Sequence, residues 1–549
     1  MESNKLKTII IACILSSFAS AAKAQTFTKY WVKFKDKNGS PYTIGNPSAY
    51  LSARSIARRT NQGIAIDMTD IPVNQTYINQ VNATGAQVFQ RSKWLNAAIV
   101  IISNPAQLTA INSLTCVLNS SPVARYQTAK PDEEIKPVAN SFKQQASLAA
   151  YNYGPSFTQA AQIGADCMHS AGYRGQNIMI AMIDAGFMQV NVNPVFDSLR
   201  NEGRLLGTRD YVAGNTSVYE DNSHGANCLS LMAGNTPGQL IGTAPKSQYW
   251  LLRSEDAPTE KIIEENNWVI AAEFADSVGV DITTTSLGYT TFDIASQNHV
   301  YADLDGKTSV ASIASTMAAR KGIFVLNAAG NEGNSSWNFV GIPADADSIC
   351  SVGSVNGGGI HSSFSSVGPT ADGRIKPDLS SMGEGSYVCS PGFNFGAGNG
   401  TSYATPILAG AVACLWQANP TKTNMEILQA LKATASKSAN PDNDYGWGIP
   451  NVCAAHNLIN GSNVGISELE KSTNFKLFPN PANQHLSFSL NQKPQTVEIS
   501  NVLGKTMKVD FVENSTNQYN IFLNELSAGV YIISIKINEG DINSKFIKE

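Results

Sequence analysis

Along the chain, apolar and polar positions change rhythm several times, and each change marks a unit. The first apolar run, Ile9 to Phe18, follows Lys5 and Lys7 and ends at Ala22-Lys23-Ala24. A charged start, a short apolar core and a small-residue site predict a secretory signal peptide over 1–24. The run is too short to span a bilayer, which needs about 18 apolar residues or more, and no later stretch reaches that length. From 25 to about 127, YWVKFKD (30–36) and LNAAIVII (95–102) read as strands around a charged helical stretch, SAYLSARSIARRTNQG (48–63). Lys, Pro, Glu and Gln then crowd residues 128–147, the composition of a linker.

Between 148 and 462 the pattern is different. NIMIAMI (177–183), YWLLR (249–253), DITTTSLG (281–288), GIFVLNAAG (322–330) and ICSVGSV (349–355) are short apolar runs of buried-strand type. Longer stretches with helical spacing lie between them, at 262–279 and 310–322. Strand and helix in alternation predict an α/β domain, a parallel sheet flanked by helices. In such sheets reactive groups gather beyond the carboxyl ends of the strands. From 473 to 549 short alternating segments (FKLFPNP, HLSFSL, QTVEIS, YNIFL, GVYIISIKI) are separated by Asn, Gly and Pro, which predicts a small β-sandwich. The expected order is therefore a small α+β unit with its linker (25–147), the α/β domain (148–462) and a C-terminal sandwich (473–549).

Composition alters this picture little. At 549 residues, 42% hydrophobic and 15% charged, the chain is globular and multi-domain. A formal charge of −4 and a pI near 5.9 argue against a nucleic-acid partner. The eight cysteines include no CxxC pair, so no structural zinc site is expected. Export permits disulfides, but spacing does not say which cysteines pair and which stay as buried thiols.

Four segments carry chemistry. Asp184 follows the apolar run NIMIAMI and precedes Ala185-Gly186, at a strand end where an unpaired carboxylate is costly. His224 begins HGANCLSLMAG, the most glycine-rich and small-residue setting of the six histidines. Ser402 follows glycines at 396, 398 and 400 and opens a helical apolar pattern, with Pro406 placed in the first turn. Asn331, in AAGNEGN, follows a strand and offers an amide to a developing oxyanion. Taken one at a time, a turn-capping Asp, a solvated His and a Ser N-cap are equally good readings. Their conjunction is not so easily explained away.

In the order Asp, His, Asn, Ser, the segments IDAGF, HGANCLSLMAG, AAGNEG and NGTSYATP resemble the motifs of the subtilisin-like serine peptidases. GTAPKS (242–247), TSLG (285–288) and FSSVGPTADGRIKPD (364–378) resemble further family segments. The resemblance implies a secreted endopeptidase acting on proteins or peptides, with Ser402 as nucleophile, His224 as general base and Asp184 as its orienting partner. It implies Asn331 with the Ser402 N–H as oxyanion hole, Ser286-Leu287-Gly288 as the strand to which substrate adds, and Gly341 at the floor of the specificity pocket. Tyr289 and Glu332 are expected to flank that pocket. No cofactor is implied. HGAN replaces the usual HGTH, and GNTPGQ (234–239) lacks the ligands of the family's calcium loop, so no metal is expected. The N-terminal unit resembles the family's inhibitory propeptide. FPNP (478–481), LSAGVYIISI (526–535) and Lys548 resemble a type IX secretion sorting domain, implying a secretion-machinery partner and a secreted or surface-attached product. Two other readings remain at this level: a catalytically silent adhesin on the same fold, and an esterase, which calls for a GxSxG elbow where this chain has GTSYA.

Overall fold

The structure, a computed structural model, describes residues 26–127, 151–461, 476–490, 493–501, 506–515, 517–524, 526–537 and 540–549. The signal peptide and the linker at 128–147 lie outside the described residues. The chain divides into one unit ending at Asn460 and a second from Gly461 to Glu549.

The first unit begins with four antiparallel strands, β1 (Thr26–Phe34), β2 (Gln87–Ser92), β3 (Ala97–Ile102) and β4 (Val117–Gln127), in the order β2-β3-β1-β4. Helices α1 (Ala53–Asn61), α2 (Gln75–Ala83) and α3 (Pro105–Ser113) accompany them. The unbroken apolar run of β3 is explained by burial on both faces. Ala98, Val100 and Ile102 pack with Val32, Phe34, Ile78, Val81 and Ile111 under α2 and α3. Ala97 and Ile99 point the other way, with Trp31 and Trp94, into a core shared with the α/β domain. α1 buries polar residues instead: Ser55, Arg58 and Arg59.

The α/β domain has seven parallel strands: β5 (Met179–Asp184), β6 (Leu205–Asp210), β7 (Gln248–Arg253), β8 (Ile282–Thr285), β9 (Phe324–Ala328), β10 (Cys350–Val355) and β11 (Leu379–Met382). Their order is β11-β10-β9-β8-β5-β7-β6. Helices α4 (His224–Ala233), α5 (Ile263–Val278), α6 (Val310–Arg320) and α7 (Thr401–Ala418) cover the sheet. α7 runs through a core with β5, β8, β9 and β10, built from Ile407, Leu408, Ala411, Val412 and Leu415. Cys167 and Cys453 form a disulfide between the helices Ala165–Ser170 and Val452–Ile459, while Cys116, Cys228, Cys350, Cys389 and Cys414 are buried thiols.

In the second unit two four-stranded antiparallel sheets make a sandwich. Leu486, Phe488, Tyr519 and Ile521 of one sheet meet Val497, Ile499, Ile533, Ile535 and Phe546 of the other. Among the described residues, no helix is long and apolar enough to cross a membrane.

Candidate active site

Asp184 is the last residue of β5 and is fully buried. Its Oδ1 accepts the Ala185 N–H at 2.8 Å and the His224 Nδ1–H at 2.7 Å. Oδ2 is buried and has no hydrogen-bond partner among the described residues. A carboxylate so poorly solvated attracts a positive imidazole strongly, and the Asp184 charge holds the His224 pKa well above its ordinary 6.5, against the effect of burial. His224 opens α4, its own N–H donating to Asn222 Oδ1 at 2.7 Å. Glycine follows it because there is no room for a side chain: a Cβ at Gly225 would lie 2.5 Å from Gly186 O and 2.9 Å from Asp184 Cβ.

Ser402 is the second residue of α7, whose N-cap is Gly400. Ser402 is thus not itself the cap, and the positive end of the helix lies at this residue. Pro406 falls inside the helix and not in its first turn as the sequence suggested. Residue 406 would normally donate its N–H to the carbonyl four back, Ser402 O, and proline has none to give. That carbonyl is taken instead by Ser286 Oγ at 2.8 Å and by Cys228 Sγ at 3.2 Å. The Ser402 hydroxyl donates to Ser286 O at 3.1 Å. Cys228, one helical turn past His224, places Sγ 4.0 Å from His224 Nε2. The sequence reading passed over it, since a buried thiol in a small-residue helix has no distinguishing pattern.

Asn331 follows β9 and is exposed. Its Oδ1 accepts from Thr401 N at 2.9 Å and from Thr401 Oγ1 at 3.0 Å, which fixes the orientation of the amide. Gly400 has φ +151°, a conformation that L side chains rarely adopt, and a Cβ there would sit 3.6 Å from Ser402 N and 3.7 Å from Asn331 Nδ2. Both donors thus border one small space that the missing side chain leaves free.

The segment after β8 runs beside this space. Asn327 Nδ2 donates to Leu287 O at 3.0 Å, and Tyr289 pairs with Ile342 through N–H···O contacts of 2.8 and 3.2 Å. A Cβ at Gly341 would lie 3.5 Å from Gly288 Cα, so these two glycines face each other. Glu332 is half-buried, its N–H donating to Ser366 Oγ. Tyr289 does not flank the cleft with its side chain. The ring is buried, 2% exposed, in the core that includes Trp268 and Phe292.

Three family profiles match the chain: "Peptidase S8 propeptide domain, Bacteroidota" over 29–139, "Subtilase family" over 175–448 and "Secretion system C-terminal sorting domain" over 476–549. The chain is 34% identical over 313 residues to Subtilisin NAT of Bacillus subtilis subsp. natto, covering 56% of this chain and 73% of that protein. It is 34% identical over 300 residues to Subtilisin of Bacillus pumilus, covering 54% of this chain and 96% of that one. Subtilisin DY of Bacillus licheniformis is 30% identical over 299 residues, with shares of 53% and 96%. The chain belongs to the subtilase family. It is a serine-type endopeptidase with a propeptide in front and a type IX sorting domain behind, and it is exported to the cell surface or beyond.

Proposed function

We propose that Asp184, His224 and Ser402 are the triad of this endopeptidase and that Asn331 completes its oxyanion hole. The observation that carries the reading is the 2.7 Å bond from His224 to a buried Asp184, with Cys228 of the same helix as His224 bonded to Ser402 O in the first turn of α7 at 3.2 Å. Ser402 Oγ, turned from Ser286 O toward His224, attacks the scissile carbonyl while His224 Nε2 takes its proton. Asp184 keeps the Nδ1–H tautomer and stabilises the imidazolium. The carbonyl oxygen, now negative, enters the space beside Gly400 and meets Asn331 Nδ2 and the Ser402 N–H. His224 then returns the proton to the leaving amine, and water repeats the sequence on the acyl-enzyme. Substrate lies along Ser286-Leu287-Gly288 as an added strand, with Gly341 under the side chain before the cut.

In the same reading, residues 25–147 are the propeptide with its linker, 148–462 the peptidase domain and 473–549 the sorting domain. The propeptide is a partner in cis, removed by cleavage somewhere in 128–150. Ser402→Ala tests both the nucleophile and self-processing. In a host lacking other peptidases the variant should fold, begin at Gln25 and hydrolyse no casein, whereas the wild type begins near 128–150. A wild-type N-terminus on purified Ser402→Ala would rule out self-processing by this serine.

A further inference from the structure

Tyr289 directly follows the segment proposed to pair with substrate, and its side chain turns into the protein interior. The hydroxyl donates to Glu255 Oε1 at 2.6 Å and lies 3.4 Å from Glu264 O. Its ring stacks on Phe292 at 6.5 Å. Glu255 is buried, and burial pushes its carboxyl up to about 7 while donation from Tyr289 opposes the rise. The same oxygen accepts Ser254 Oγ at 2.8 Å. Ser254 in turn donates its N–H to Asp184 O at 3.1 Å, and its carbonyl accepts Asn267 Nδ2 of α5 at 2.9 Å.

These contacts form a continuous path. It starts at the backbone of Asp184, passes through Ser254 and the Glu255 carboxyl, and ends at Tyr289, the residue after Gly288. At its other end the segment is fixed by Ser286, which exchanges two hydrogen bonds with Ser402. The segment is thus held at Ser286 by the nucleophile and at Tyr289 by a buried acid that abuts the strand carrying Asp184. The 2.6 Å Tyr289–Glu255 hydrogen bond is buried, where such a contact is stronger than in water.

We infer that Tyr289 and Glu255 are positioning residues that set the substrate-pairing segment 286–288 relative to Asp184. The inference rests on the proposed pairing of substrate with that segment. It concerns substrates long enough to lie along the segment, and it gives the buried pair no contact with the reacting atoms.

The test uses the full chain, processed by itself, and two amide substrates with the same residue before the cut and the same leaving group: a tetrapeptide amide and a single-residue amide. With wild-type enzyme, lengthening the substrate should raise kcat/KM at least about tenfold, through added main-chain hydrogen bonds. No gain would remove the pairing reading itself, and the inference with it. Given that gain, Tyr289→Phe should lower kcat/KM for the tetrapeptide by roughly 10-fold more than for the single-residue amide, with most of the extra loss in KM. Glu255→Gln keeps the shape and leaves Tyr289 a neutral amide acceptor, so it should move the same ratio in the same direction by a smaller factor. It is also the second route if Tyr289→Phe does not fold. Equal losses on both substrates would show that the pair only supports the fold, and an unchanged ratio in both variants would overturn the inference outright.

Discussion

Asn331→Ala removes one donor from the proposed oxyanion space, together with the acceptor of Thr401 N and Oγ1. The side chain is exposed, so its loss opens no cavity, and the only stability cost expected is a small drop in melting temperature from the two Thr401 hydrogen bonds it removes. Thr401 N and Oγ1 hold the amide through Oδ1, so Nδ2 is aimed before substrate arrives. A donor fixed in advance does not pay for its own orientation in the transition state, and deleting such a donor in a subtilisin lowers kcat by roughly 100- to 1000-fold, about 2.7–4 kcal/mol. We expect that range here, with little change in KM, because the ground-state carbonyl bears little charge. Two companions give an order. Thr401→Val loses only one of the two anchors on Oδ1, together with the Gly330 N–H contact at 3.2 Å, and should cost less than the Ala variant. Asn331→Asp places a carboxylate beside a developing negative charge and should cost more. Steady-state kinetics on one peptide amide give all three. A kcat for Asn331→Ala within about threefold of wild type, or a loss confined to KM, would take Asn331 out of the mechanism.

Because Asp184 holds the His224 pKa above 6.5, the neutral base accumulates only above that raised value. The acid limb of kcat/KM should therefore lie above pH 6.5, and Asp184→Asn should shift it downward while lowering kcat by about 10⁴-fold. An unshifted limb would show that another group governs it. The same raised pKa means that the Asp184–His224 pair stabilises the fold below the ordinary histidine pKa and loses that contribution as pH rises through the raised value. Deletion of 473–549 removes a unit with its own core, so the truncated chain should remain an active peptidase yet stay inside the outer membrane. Export at the normal level, measured by fractionation, would separate that unit from secretion.

Five of the seven sheet strands were legible as apolar runs, and the two missed have physical reasons. β6, LLGTRD, is an edge strand with mostly half-buried positions, so no run of apolar residues marks it. β11, LSSM, is fully buried but spends two positions on serines, with Ser380 and Ser381 hydroxyls donating to Tyr445 O and Ala404 O. In the N-terminal unit, β2 (QVFQRS) and the helices α2 and α3 are too polar or too short to stand out. The candidate site was legible because its residues are ordered by the chain itself: Asp184 at a strand end, His224 and Ser402 at helix starts, each with a glycine that the packing requires. What escaped were relations across the fold. No local pattern tells that Pro406 frees the Ser402 carbonyl for Ser286, or that the Tyr289 side chain leaves the cleft to meet Glu255.

The docking of the N-terminal unit follows the same logic of unsatisfied groups. The last carbonyls of α5 and the turns leading into β8 and β9 have no partners within their own helices and strands. α1 supplies donors to them: Arg54 Nε to Gly279 O at 3.0 Å, Arg58 Nη1 to Val280 O at 2.5 Å and Gln62 Nε2 to Gly322 O at 2.8 Å. Cations are also the favoured charge at a helix C-terminus. Asp276, near the end of α5, is fully buried. Burial alone would push its carboxyl up, but Lys93, Arg58 and Arg59 bring it well below the usual range. Three of the cations around it thus belong to the N-terminal unit, while Lys321 belongs to the peptidase domain. A buried carboxylate stripped of its partners is costly. Removing the N-terminal unit would take Arg58, Arg59 and Lys93 from Asp276 and leave Lys321 as the nearby cation of the peptidase domain. On docking Arg58 gains Asp276 as well as Val280 O, and Arg59, already paired with Asp70 of its own unit, gains Asp276. The ion cluster therefore favours the docked precursor, and it does so near the amino ends of β8 and β9, at the opposite end of those strands from Ser286 and Asn331 of the proposed site.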